Sequence, residues 1–96
     1  GNYTGNGSTS GPTITTGFSP RFILIKWTSG SDHWFIFDTT RGIDNSGNDH
    51  WLYLNSNTAQ SDHMDWLSIS STGFTLTKND NGVNGSNENY IYYAHA

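Results

Sequence analysis

Between Gly17 and Gly42 the chain reads GFSPRFILIKWTSGSDHWFIFDTTRG: two dense apolar runs, a short polar turn between them, and an Asp-x-x-Arg-Gly corner at the end. Pro20 fixes its own φ and pushes Ser19 out of the helical region, so Ser19-Pro20 is a strand-entry device. Arg21 to Thr28 follows as the strongest strand, with faces Phe22/Leu24/Lys26 and Arg21/Ile23/Ile25/Trp27. Both faces are apolar in the middle, the pattern of a central strand covered on both sides. The turn SGSD leads into His33 to Asp38, again apolar on both faces, and the pair reads as a hairpin.

The rest of the chain extends the same pattern. Pro12 to Thr16, His50 to Asn55, Met64 to Ser70, Gly73 to Thr77 and Asn89 to His95 are β-prone runs, with a weak edge strand possible around Asn2 to Thr4. Thr39 to Asn48 is turn-rich, Asn55 to Asp62 is linker-like with room for one helical turn in TAQSDHMDWL, and Asn79 to Asn89 is the most polar loop. Ser, Thr, Asn and Gly supply 12, 12, 11 and 11 of the 96 residues, a bias toward turns and strands. About seven short strands separated by turn signals every 8 to 12 residues or so predict an all-β chain, an antiparallel β-sandwich over residues 1–96. Its core is aromatic-rich, since Trp, Tyr and Phe number 4, 5 and 5.

Composition narrows the partners. A formal charge of −4, from four Lys plus Arg against eight Asp plus Glu, argues against a phosphate-neutralising surface and so against nucleic acid. No apolar stretch approaches the roughly 20 residues of a membrane span. With no Cys there is neither disulfide nor thiolate metal site. The opening GNYTGNG, without Met, reads as a fragment, a processed chain, or one module of something longer or multimeric.

Several segments together resemble a family of small β domains in bacteriophage structural proteins, especially tail-fibre and appendage proteins. They are Tyr3 to Gly7, Gly17 to Phe22, Leu24 to Lys26, Trp34, Phe37 to Gly42, Gly73 to Leu76 and Tyr90 to Ala96. The resemblance spans nearly the whole chain and is least over Ile43 to Ser70. It implies a lectin-like or jelly-roll-like sandwich at the virion surface, without catalytic activity. The implied partners are copies of itself, a trimer included, and other virion proteins.

Candidate site residues follow from side-chain chemistry. Trp stacked on a pyranose ring is a usual carbohydrate platform. Trp27, Trp51 and Trp66 have polar neighbours, so they, with Asp49, His50 and Asp65, are the candidates for binding host-surface glycans. Trp34 reads as core. Asp38 and Arg41 form a structural ion pair across the corner, or else a carboxylate and guanidinium fork suited to sugar hydroxyls or an acidic sugar. The Asp-His pairs at His33, His50 and His63 have no recognised metal spacing. Thr77-x-Asn79-x-Asn81-Gly82-x5-Glu88 matches an EF-hand loop except at its first position, which makes Asn79, Asn81 and Glu88 a weak Ca²⁺ candidate. No catalytic constellation and no other cofactor site is evident. The alternative to glycan recognition is a purely structural, self-assembling subunit such as a capsid decoration or fibre shaft. Copies would then meet through Trp27 or the Tyr90/Tyr92 face.

Overall fold

The computed structural model describes residues 1–96. Nine strands form two antiparallel sheets: β1 (Asn2–Thr4), β2 (Thr13–Thr15), β3 (Phe22–Trp27), β4 (Phe35–Asp38), β5 (Asp49–Tyr53), β6 (Ser61–Met64), β7 (Leu67–Ile69), β8 (Gly73–Leu76) and β9 (Asn89–His95). The larger sheet runs β1-β9-β3-β4-β5-β6 and the smaller β2-β8-β7. Packed face to face they make the expected β-sandwich, 21 Å through its thinnest direction. The one helix, α1 (Asn81–Asn84), has four residues, so no helix is long and apolar enough to cross a membrane.

The hairpin that dominates the sequence forms the centre of the large sheet. Ile23 pairs with Phe37 and Ile25 with Phe35 across β3 and β4, while on the other side of β3 they pair with Ala94 and Tyr92 of β9. These residues share one face, and Ile23, Ile25, Phe35 and Phe37 are fully buried on it with Tyr90 and Trp51. The small sheet covers that face with Ile14, Leu67, Phe74 and Leu76. Trp66, on the crossing between the sheets, fills the space between them, its ring centroid 5.0 Å from Phe35 and 6.1 Å from Phe37.

Three features depart from the expectation. The count is nine strands, because Asn2–Thr4 does pair with β9 and because Met64 to Ser70 is not one strand. Met64 ends β6, an edge strand of the large sheet, and Leu67 begins β7 in the small one, so Asp65-Trp66 is the step between sheets. Ser61–Met64 is therefore strand rather than linker or helical turn. It pairs with β5 through a register shift between Asp49 and Trp51. Finally, the polar loop contains α1, started by Asp80, whose side chain accepts a hydrogen bond from the Gly82 amide at 2.8 Å. Val83 anchors α1 in the core. The buried Asn84 amide donates to the carbonyls of Ser8, Gly11 and Lys78 and accepts from the Asn6 amide, fastening the N-terminal segment to α1.

Candidate functional site

Strand alternation decides the fate of the residues singled out for glycan binding. Trp51 lies on the inward face of β5 and retains 4% exposure, and Trp66 retains 3%. Both are core residues, packed edge-to-face with centroids 5.0 Å apart. As sugar platforms they are corrected: a pyranose needs an open ring face, and theirs are covered by Phe35, His63 and each other. The polar neighbours that made them look exposed point to the opposite side of the chain. Trp27 is half-buried against the core. The Gly30 turn lies so close over it that a Cβ there would sit 2.1 Å from the ring.

The polar candidates next to these Trp residues are structural ties. Asp49 has no exposed surface; one oxygen accepts from the Asp44 amide at 2.8 Å, the other from Trp66 at 2.8 Å and Leu67 at 3.0 Å. Burial pushes its carboxyl pKa up, and the three amides offset this only in part. Asp65 accepts from the Thr77 hydroxyl at 2.7 Å, joining the inter-sheet step to the end of β8. His50 is half-buried, on the outward side of β5, with its Nε2 3.8 Å from Asp62. His33 stacks on Tyr53 and His63 packs tilted against Trp51, so the three histidines do not converge.

The Ca²⁺ candidates are likewise dispersed. Glu88 accepts from the Ser29 hydroxyl and from Trp27 Nε1, Asn81 lies in α1 with its carbonyl accepting from the Tyr90 hydroxyl, and Asn79 is exposed. No group of three or more His, Asp or Glu side chains has a geometry suited to a metal ion.

The Asp38–Arg41 ion pair forms across the corner. Asp38 accepts from the Arg41 amide and from Arg41 Nε, both at 2.7 Å. Burial pushes the Asp38 carboxyl up, but these Arg41 bonds outweigh it and hold the pKa below the ordinary value. Gly42 ends the corner at φ +136°, a conformation that favours glycine. The same corner walls a surface cavity of about 410 Å³ together with Arg21, Phe22, Thr39, Thr40 and His95.

Trp34 departs from its core assignment. It is half-buried on the outward side of β4, and that side of the large sheet is the most unusual surface of the domain. The register aligns Tyr93, Leu24, Ile36 and Leu52 in one row across four strands. Flanking rows carry Ile91 beside Lys26 and His95 beside Phe22. No second sheet lies over them: Leu24, Ile36 and Leu52 are half-buried, and Tyr93 is 57%, Ile91 43% and the adjoining Leu54 60% exposed. The sequence carried a signal for this face in the two-sided apolar runs of β3 and β4. The sequence pattern of β3 is that of a strand covered on both sides, and the small sheet covers one of them. The Tyr90/Tyr92 contact face is corrected in the same way. Tyr90 is buried and Tyr92 packs toward Phe74, while the exposed side of β9 is Ile91 and Tyr93.

No curated protein and no solved structure matches the chain. A family model does match, from the first residue to the last, and on residues 1–96 the chain belongs to the family described as a domain of unknown function, DUF7483.

Proposed function

We propose that this domain is a non-catalytic building block of a phage virion appendage that assembles with copies of itself through the outward face of its large sheet. The observation that carries the reading is the uncovered apolar row Tyr93-Leu24-Ile36-Leu52. Antiparallel sheets with one free face ordinarily alternate apolar-in and polar-out. Contiguous exposed apolar surface of this kind marks an interaction site. The virion context rests on the resemblance of the ordered segments from Tyr3 to Ala96.

Size and charge both favour a second copy as the occupant. Six strands spaced about 4.8 Å apart and up to some 24 Å long present a patch of several hundred Å², the scale of the roughly 800 Å² per partner in a stable dimer. Of eight carboxylates, Asp38 and Asp62 lie on this face, both away from the central apolar row; Arg41 neutralises Asp38, and Asp62 stands 3.8 Å from His50. The centre of the face is Leu, Ile and Tyr. Charge depletion with aromatic enrichment is the composition of an interface core. Glycan recognition through Trp51 and Trp66 is not part of this reading, since their burial removes the platform.

Sedimentation equilibrium tests it. The chain should form a discrete oligomer as concentration rises. The double variant Ile91→Lys, Tyr93→Ser should be monomeric with its unfolding midpoint nearly unchanged, because exposed positions contribute little to the monomer, about 0.5 kcal/mol each. A wild-type chain that stays monomeric at its highest soluble concentration overturns the proposal.

A further inference from the structure

We propose that the cavity at the Asp38–Arg41 corner binds a hydroxylated carboxylate, namely a single acidic sugar residue. The cavity lies at one end of the outward face, beyond the apolar row, where β3 begins and β4 and β9 end. The chain has four Lys and Arg residues in all, and two of them, Arg21 and Arg41, line this one cavity. Such a concentration of cations in a chain of net charge −4 sets it apart from the other three cavities of the surface, none of which contains an Arg or Lys.

The accessible free donors come mainly from Arg21. Arg41 Nε is committed to Asp38, Nη1 is buried without a partner, and Nη2, which reaches the Ile36 carbonyl only at 3.4 Å, keeps a second N–H. Arg21 has no carboxylate partner; its Nη2 donates to the Ala96 carbonyl at 3.3 Å and its other N–H groups are free. A carboxylate is the group that matches a planar guanidinium fork. The hydroxyls of Thr39 and Thr40 make no bonds within the chain, so each offers a donor and an acceptor. Phe22, stacked on His95 with centroids 5.2 Å apart, provides a flat apolar wall for the C–H face of a ring.

Asp38 selects the kind of anion. Each of its oxygens accepts one bond from Arg41, leaving a second lone pair able to accept from a ligand hydroxyl. The same carboxylate repels a compact, doubly charged hydrogen phosphate, whose single hydroxyl cannot also reach Thr39 and Thr40 as the several hydroxyls of a sugar ring can. The preferred ligand therefore carries one negative charge at one end and hydroxyls along its body. At about 410 Å³ the cavity is near the lower end of the ligand-site range of roughly 300–1,000 Å³, suited to one sugar ring.

The test is an NMR titration of the full chain with glucuronate, with glucose and inorganic phosphate as parallel probes. Glucuronate should shift the amides of Arg21, Thr39, Thr40 and His95 in a saturable way, with a Kd on the order of 1 mM. Glucose should bind at least about tenfold more weakly, and phosphate should give no saturable shift at Thr39 or Thr40. Arg21→Gln, which leaves the Asp38–Arg41 pair in place, should weaken glucuronate by about tenfold while the spectrum of the rest of the domain is retained. Three results overturn the proposal: no shift at these residues, an equal response to phosphate, or undiminished glucuronate binding by Arg21→Gln.

Discussion

The two faces of the large sheet are built from the same four central strands and from similar side chains, yet only one is a core. Inward, Ile23, Ile25, Phe35, Phe37 and Tyr90 meet the small sheet and keep at most 1% exposure. Outward, Leu24, Ile36 and Leu52 stay half-buried beside their neighbours and Ile91 and Tyr93 are exposed, with no second sheet over them. The small sheet has only three short strands, so it covers one side of the large sheet and leaves the other to solvent or to a neighbour. An apolar residue in a strand is thus committed to burial but not to burial by its own chain. A carboxylate from each face, Asp49 inward and Asp38 outward, shows the same contrast in electrostatic form.

The sharpest way to break the comparison is to truncate two consecutive residues that point in opposite directions. Phe35→Ala removes a ring packed 5.0 Å from Trp66, 5.1 Å from Tyr53 and 6.3 Å from Phe37. It should cost about 3–5 kcal/mol of monomer stability in urea unfolding, the range for a large aromatic deleted from a core. Ile36→Ala should cost the monomer only about 1 kcal/mol and should weaken self-association instead. Comparable losses from the two variants in a monomeric sample would mean that the outward face is already covered.

The inward carboxylate gives the next largest effect. Asp49 receives three backbone amides and no cation, so it joins the β4–β5 loop to the step between sheets without an ion pair. Asp49→Asn keeps the shape but turns an NH₂ group toward amide donors. Leaving buried donors unpaired should cost about 2–3 kcal/mol at neutral pH, measured by the same unfolding curves. A loss below about 0.5 kcal/mol, the level of an ordinary surface change, would show that Asp49 is not the tie described here.

How much of this was legible in the sequence depends on where each signal resides. The hairpin of β3 and β4, and the strands β8 and β9, stand out because their apolar runs are bounded by Gly, Pro and Asn. β6, Ser-Asp-His-Met, has no such pattern, because an edge strand's pairing is held by backbone hydrogen bonds that side chains do not announce. The Trp residues misled for a related reason. Asp65 beside Trp66 and His50 beside Trp51 project to the other side of an extended chain, so a polar neighbour carries no information about burial. Asp49 was found as a residue but not as a role, since its three donors lie 5, 17 and 18 positions away. The corner Asp38–Arg41 was readable because both partners lie within one turn. The cavity beside it was not, because Arg21 and His95 arrive there only when β9 pairs with β3.

The smallest effect compares the two carboxylates through pH. The pKa of Asp38 is lowered from its ordinary 3.8 in the folded state by Arg41, so its contribution to stability is present above 3.8 and is lost as pH falls through the folded value. Asp49 has the opposite sign: its pKa is raised, so its contribution is present below 3.8 and is lost as pH rises through the folded value. Asp38→Asn should therefore destabilise the domain at neutral pH by less than about 1 kcal/mol, the scale of a solvent-accessible pair, and the gap from wild type should close on acidification below 3.8. In Asp49→Asn the gap should instead widen as the solution is acidified from neutral pH, because protonation relieves the wild-type Asp49 of a buried charge while the amide has none to lose. Urea midpoints for the three proteins across that interval separate the two signs. Parallel curves for the two variants would mean that both carboxylates experience the same environment, and the electrostatic half of the contrast between the faces would fall.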